Sequence, residues 1–535
     1  MKKILKYTFM LSAVSILTVG CIQDFEPQAN GISNEQINES TSGLDAMAGA
    51  IANYAANANW DGSGIASHFG LPSMNMVREN YCNDMVEPAV YYSWYSGMSQ
   101  NTTQGGTYSQ TQINWLMLTK IASLCNDIIR MYPNAEEVSA SARPYLGAAY
   151  AYRALVWLDM ARTYEYIPNP FTGEHPEIAH LTIPYLPETL SEDAARYNPR
   201  ISKEEMIGHL KDDLELAIDM LEGTKWGDKN LPDQSVAYAL LARTYMWEGD
   251  YAAAKTAAQN ALDAGDYSPL TEAQWTDTTT GFNSLSTQKS WMLCSRLSNE
   301  SSSVKTVYTN WVSFMSSEYS DGYVGVGTIS TADVKFYNAI PDTDFRKLSW
   351  KAPEGSSLNV KYLPADGEYG GHETLPDLAV IKFRPGQGNS NDYVTACAVD
   401  IPLMRMEEME FIIAECDARN GDASSLVNIV KTRNPQYTCN LSGDALIREV
   451  FFQKRIEFWG EGVMYFDYKR CPDHLRIERG YAGTNHNTQA RFNTEYGELA
   501  PWFNMCINEY ETYDNTAIIN NPDPTGTIPL WSEEE

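Results

Sequence analysis

The stretch Ala237–Gly265, AYALLARTYMWEGDYAAAKTAAQNALDAG, constrains the fold more than any other part of the chain. Two apolar-periodic runs flank Gly249-Asp250, and small side chains recur at Ala242, Ala254 and Ala261 around Tyr245. Alanines at helical spacing let two antiparallel helices approach closely, and Gly249 supplies the turn between them. A pair of this kind cannot bury its apolar face alone, so it predicts stacking against further helices.

The same spacing returns downstream. Ala242 precedes Gly249-Asp250 by the interval at which Ala414 precedes Gly421-Asp422. Both pairs have the pattern of tetratricopeptide-type hairpins. Leu44, Met47, Ile51 and Tyr54 share one helical face. Further helices are predicted over 113–132, ending at Pro133, and over 142–166, ending before Pro168. Ser202 with Glu205 predicts a capped helix over 203–222. The fold class expected is therefore mainly α, built on helical hairpins. Residues 266–400 differ: they are rich in Ser, Thr, Gly, Asn and Tyr, with strand-like runs such as 378–383. They predict long irregular excursions with minor β-structure. The stretch after Arg470 is irregular again.

The N-terminus reads as an export signal. Lys2, Lys3 and Lys6 precede an apolar run from Tyr7 to Val19, which ends at Gly20-Cys21. The run is shorter than the roughly 20 residues a membrane span needs. A cysteine directly after Gly20 resembles a bacterial lipobox, with Thr18 where leucine is usual. Cys21 is then the lipidated N-terminus of the mature chain. Residues 1–20 are the signal, 21–40 a polar tether, and 41–535 one domain. The formal charge is -30, and -33 once the three signal-peptide lysines are gone. A chain so acidic lacks the basic footprint that phosphates require, which argues against nucleic acid and anionic lipid surfaces as partners. The other eight cysteines form no CxxC pair, so no zinc ribbon or redox motif is expected. Export permits disulfides, but buried thiols suit apolar helical faces.

No catalytic signature is present: the chain lacks HExxH, GxSxG and a phosphate-binding GxxxxGK[ST]. No enzyme activity, metal or cofactor is expected. His175 and His180 read as surface histidines. What the chain has in excess is aromatic rings, 33 tyrosines and 13 tryptophans, many in segments without helical period. One group is Tyr91, Tyr92, Trp94 and Tyr95, with Asn101 close behind. A second is Tyr308, Trp311, Tyr319 and Tyr323. Rings outside a core offer apolar faces with a polar handle. Sugars have apolar C–H faces and hydroxyl rims, so these residues are candidate carbohydrate contacts. The competing reading is that they pack loops onto helices.

Gln453–Arg470 reads QKRIEFWGEGVMYFDYKR. It strongly resembles the C-terminal signature of the SusD/RagB family of outer-membrane nutrient-binding lipoproteins, with Arg455, Glu457, Gly460, Glu461, Gly462, Phe466, Asp467, Lys469 and Arg470 in place. Met406–Ala418 resembles the family's second characteristic helix. Asp213-Leu214 with Ala217 resembles its DL-x-x-A helix. Tyr164–Pro168 resembles its aromatic-to-proline exit, with Glu165-Tyr166 for Gly-Asp. Ile507–Asn515 resembles its IPxxE segment, with Asn508 for the proline. The resemblance implies a SusD-like fold: tetratricopeptide-like hairpins in a right-handed superhelical frame, with an irregular ligand-binding half drawn mainly from 60–110 and 266–400. It implies a lipid-anchored protein on the outer face of the outer membrane. Such a protein acts as a lid on a SusC-like TonB-dependent β-barrel transporter and binds oligosaccharide without catalysis. Opposite charges in the signature itself read as structural.

Three other functions compete. A RagB-like peptide binder would favour basic peptides. A cell-surface hydrolase would turn over a glycan. A repeat adaptor would bind only protein.

Overall fold

The computed structural model describes residues 41–58, 66–87, 100–134, 137–323, 327–358 and 375–533. Cys21, the tether, and Tyr91, Tyr92, Trp94 and Tyr95 lie outside the described residues. The longer helices are α1 (Thr41–Asn57), α2 (Gly70–Tyr81), α3 (Ser109–Arg130), α4 (Arg143–Tyr164), α5 (Lys203–Met220), α6 (Gln234–Glu248) and α7 (Tyr251–Asp263). They continue with α8 (Met406–Arg419), α9 (Ser424–Lys431), α10 (Asp444–Phe458) and α11 (Met464–Arg470). From α3 to α9 every helix packs on the next. This is the nearest-neighbour stacking of a repeat frame, so the mainly-α expectation holds.

The founding hairpin is α6–α7. Gly249 sits at φ 92°, where a side chain would be strained, and the amides of Gly249 and Asp250 both donate to Tyr245 O, at 2.9 and 3.0 Å. That closes α6 in the αL manner. Asp250 then caps α7 by accepting from Ala253 N. The buried face of α7 is Ala254, Ala257, Ala258 and Ala261, which is why α6 and α8 can lie close on it. At the predicted echo, Gly421 also takes positive φ and α8–α9 form the second hairpin.

Helix α4 is buried along almost its whole length and is the spine of the frame. Its Arg153 is fully enclosed and forks onto Asp213 of α5, with Nε to Oδ2 at 2.8 Å and Nη2 to Oδ1 at 2.6 Å. Helix α4 stops at Tyr164, short of the predicted 166, because the Tyr166 backbone pairs with Ala179 instead. Ser202 caps α5 as expected, its hydroxyl accepting from Glu205 N.

Strands are few and short. They are β1 (Met85–Val86), β2 (Leu181–Pro184), β3 (Arg200–Ser202), β4 (Trp291–Arg296), β5 (Thr331–Ala332) and β6 (Asp400–Arg405). They pair antiparallel as β1–β5, β2–β3 and β4–β6. The β4–β6 ladder clasps the two ends of the irregular excursion, with Arg296 opposite Asp400 and their side chains ion-paired at 3.0 Å. The strand-like run 378–383 forms only isolated bridges, Ala379 to Thr331 and Val380 to Trp350. Leu378 at φ 66° turns the chain before a ladder can start. The main apolar core runs from Leu44 to Ile507, shared by the frame and the excursions, and a small second cluster of Leu375, Ala379 and Ile381 lies apart from it. Among the described residues all eight cysteines are free thiols, seven of them buried. No described helix is long and apolar enough to cross a membrane.

Candidate functional site

The SusD/RagB-like signature lies inside the protein. Glu457 of α10 is fully buried, and its carboxylate faces three guanidinium groups. Arg405 donates to Oε1 at 3.0 Å, Arg433 to both oxygens at 3.1 Å, and Arg346 to Oε2 at 3.4 Å. Arg433 also reaches Glu407 at 2.8 Å, and Arg405 forks onto Glu461 at 2.8 and 3.0 Å. Lys382 closes the network by donating to Glu461 and to the Glu457 and Trp459 carbonyls. Burial would raise the Glu457 carboxyl, but Arg433 and Arg405 outweigh it and hold the group well below the usual carboxylate range.

Every charge here has several partners, as burial demands. The turn that follows is equally constrained. Gly462 has φ 70°, and a Cβ there would lie 2.4 Å from Asn75 O on α2. Its amide donates to Glu79, whose carboxyl is pushed up to about 8 by burial and by Asp84 nearby. Arg455 forks onto Asp84, and Asp467 pairs with Lys454 and Arg470. The signature ties α10, α11, α2 and the frame into one core. At the closing segment, Asn508 has φ -64° and ψ 148°, angles that a proline could adopt. It also does what proline cannot, accepting from Tyr510 N and Glu511 N as a helix cap.

The aromatic candidates divide sharply. Trp311, Tyr319 and Tyr323 are 3%, 0% and 5% exposed. Trp311 packs edge-on against Phe383 at 5.0 Å and Tyr323 against Phe314 at 5.7 Å. In this conformation these three rings support loops rather than present a face to solvent. Asn101 is also buried; its amide donates to Pro524 O at 2.6 Å and fastens the C-terminal stretch.

Tyr308 is the exception at 61% exposed. It stands on a γ-turn centred on Val307, at φ 65° and ψ -60°, with Tyr308 N donating to Thr306 O at 2.7 Å. A β-branched residue there is strained by about 1–3 kcal/mol, so its surroundings must impose it. Tyr319 OH donates to Val307 O at 2.9 Å and Asn310 Nδ2 donates to the same carbonyl at 3.3 Å. Asn310 and Ser313 are locked in a capping box that opens the short helix Trp311–Met315. The buried members of the group thus hold the exposed one in place. Burial, with Cys397 and Asp321 nearby, raises the Tyr319 hydroxyl and keeps it a donor.

The described chain just before the first aromatic group reaches the second. Glu87, the last described residue before the stretch holding Tyr91–Tyr95, accepts from Ser330 Oγ, and its charge adds to burial in raising the Tyr323 hydroxyl's pKa. A second exposed set escaped the sequence reading: Tyr197, Tyr510 and Tyr513. Their segments are joined by paired Asn198 and Asn515 hydrogen bonds at 3.0 and 2.7 Å. No periodicity marks these tyrosines, and only the tertiary pairing brings them to one edge. No group of three or more His, Cys, Asp or Glu is placed to hold a metal among the described residues.

A helical-repeat frame with a large irregular face packed on it and a buried charged signature defines the scaffold class. Residues 378–523 match the model of the SusD family. The fold is similar to a SusD-like carbohydrate binding protein from Bacteroides vulgatus, at 20% identity over 90% of this chain and 97% of that one, with TM-score 0.69. It is similar to a SusD superfamily protein from Bacteroides thetaiotaomicron, at 17% over 90% and 100%, TM-score 0.66. A surface glycan-binding protein A from Bacteroides uniformis matches at 17% over 90% and 99%, TM-score 0.63. The sequence has no match among curated proteins. The SusD/RagB recognition is borne out: the C-terminal part carries the family's pattern, and the chain as a whole has the SusD-like fold.

Proposed function

We propose that this protein is a cell-surface glycan-binding lipoprotein. It captures oligosaccharides and delivers them to a SusC-like TonB-dependent outer-membrane transporter. The observation that carries the reading is Tyr308, an exposed ring fixed on a strained turn within the irregular half of a SusD-like fold. Two of the similar structures are described as carbohydrate- or glycan-binding, which supports the same ligand class. A ring held rigid loses little entropy when a sugar face stacks on it. Tyr91, Tyr92, Trp94 and Tyr95 are the proposed partners of Tyr308, because their segment departs from Glu87 beside Tyr323. The protein binds and does not turn over its ligand.

Residues 1–20 are the signal peptide, Cys21 carries the lipid, and 21–40 tether a single SusD-like unit to the outer leaflet. The tether gives the unit freedom to swing over its transporter while remaining anchored.

A glycan array followed by calorimetry tests the ligand class. Saturable binding that weakens in Tyr308→Ala supports the reading. Binding to basic peptides with no glycan response would replace it by peptide uptake, and glycan hydrolysis by the pure protein would replace it by catalysis. Co-purification of a β-barrel transporter from membranes tests the partner, and mass spectrometry of the mature N-terminus tests Cys21.

A further inference from the structure

A cavity of about 60 Å³ lies where α2, α4 and α6 meet the signature's exit turn and α11. Its wall carries five cationic side chains against four carboxylates, an excess of positive charge inside a protein of net charge -30. Three guanidinium groups dominate it. Arg78 and Arg162 share the single carboxylate of Asp159, at 2.8 and 2.7 Å, and both lie against the Phe466 ring, at 4.8 and 3.6 Å from its centroid. Arg243 is saturated on one edge by Glu408, at 2.7 and 2.6 Å.

Among the described residues, each guanidinium has one terminal nitrogen with no hydrogen bond to the protein. Arg78 Nη2 is buried and unpaired among the described residues, on a side chain more than nine-tenths enclosed. Arg162 uses Nε and Nη2 for Leu158 O and Asp159, and Arg243 uses Nε and Nη2 for Glu408. No bond to Nη1 of either is seen among the described residues, and both side chains line the cavity with part of their surface open to solvent. Arg243 and Arg78 add their repulsion to burial at Arg162, whose pKa is pulled down to about 10. An unpaired donor such as Arg78 Nη2, enclosed beside two further guanidinium groups, is costly unless an acceptor fills the space.

We propose that this cavity is a binding site for one small inorganic oxyanion of the phosphate or sulfate class. Such an ion offers several acceptor oxygens to converging guanidinium forks, the geometry arginine suits best. The space would hold a few waters or one such ion. The side chains of Arg162, Arg243 and Arg470 retain 10%, 13% and 11% exposure, so the site communicates with solvent. None of its wall residues belongs to the Tyr308 turn. The ion would pin the helical frame to the signature region and is not a transported nutrient.

The test uses the full chain, dialysed exhaustively into a chloride buffer. Phosphate or sulfate should raise the melting temperature beyond a chloride control of equal ionic strength and give saturable heat near one ion per chain. Arg78→Lys keeps the charge but removes the free fork nitrogen, and should weaken binding about tenfold. Asp159→Asn removes the competing carboxylate; it should melt lower without ion yet bind phosphate at least about fivefold more tightly. A purely structural role for Asp159 predicts only the lower melting. No saturable heat and no stabilisation beyond chloride would show that the cavity holds water alone and overturn the proposal. Equal stabilisation by chloride, or no tightening in Asp159→Asn, would overturn it as well.

Discussion

The signature region and the Tyr308 face use polar and aromatic chemistry in opposite ways. Around Glu457, charged side chains that composition would assign to the surface are fully buried and serve architecture. Around Tyr308, aromatic side chains that composition would assign to a core or a ligand divide between the two. Three pack inward and one is presented. The most recognisable motif in the chain is therefore its structural centre. The proposed ligand contact sits on a turn with no motif at all. A motif shared widely across a fold tells where the core is locked, and individuality of ligand is left to loops fastened onto it.

Breaking the buried network should have the largest effect. Glu457→Gln leaves Arg405 and Arg433 short of countercharge in a dry interior, and should cost about 3–5 kcal/mol in chemical denaturation. Failure to accumulate folded protein is the same outcome in stronger form, while normal stability would refute the architectural role.

Acid should act on the same network through proton linkage. Glu457, Asp467, Glu415 and Asp159 all have folded-state carboxyls held below their ordinary values. Their stabilisation is present above the unfolded pKa of about 4 and lost as pH falls through the folded values. Melting temperature measured against pH should drop steeply below pH 4. In the alkaline range Lys469 behaves differently. Burial pulls its ammonium down to about 7, and its Nζ donates only to the Thr163 and Glu165 carbonyls. Its contribution is lost as pH falls through 7 and regained as pH rises toward the unfolded value of 10.5. Lys469→Met should therefore flatten the wild-type slope between pH 7 and 10, read as the difference between the two melting curves.

The Tyr308 side of the comparison predicts smaller stability effects. Val307→Gly relieves the positive-φ strain but frees the unfolded chain, so stability should rise by at most about 1 kcal/mol. If Val307 aims the ring, this variant should bind glycan more weakly despite being no less stable. Unchanged affinity would mean the strained turn has no role in recognition. Tyr308→Ala should leave stability within about 0.5 kcal/mol, since the ring is mostly in solvent. Affinity should fall about three- to tenfold, the scale of one aromatic stacking contact.

Much of the frame was legible in the sequence because repeat packing rests on local spacing. Ala242, Gly249 and Ala254 report a close helix pair before any coordinate is known, and Gly421 reports its echo. The helix ends were harder, since Tyr166 leaves α4 for a bridge to a residue distant in sequence. The candidate face was legible only as a region. Tyr308 and Tyr319 are the same residue type in the same polar stretch, and nothing local says that one donates to the turn bearing the other. Tyr197 and Tyr513 were invisible for a like reason, because the Asn198–Asn515 pairing joins distant segments. Buried charge was the least legible feature. Arg346, Arg405 and Arg433 come from separate segments, and only tertiary structure collects them at Glu457.

The adjacency of α7 and α8 carries a consequence for how such a chain forms and diversifies. Helix α7 ends at Asp263 and α8 begins at Met406, yet the two pack as successive members of the frame. Everything between them is a closed excursion whose ends are clasped by β4 and β6. Closing a loop of that length is entropically only slightly dearer than closing one half as long. The excursion can therefore lengthen, shorten or be exchanged while its anchoring helices stay as they are. Folding, by contrast, must wait for the two distant halves of the frame to find each other. A graft of residues 264–405 into a related frame should move the Tyr308 turn with it, and should fold only where the host supplies a carboxylate at the place of Glu457 to meet Arg346 and Arg405.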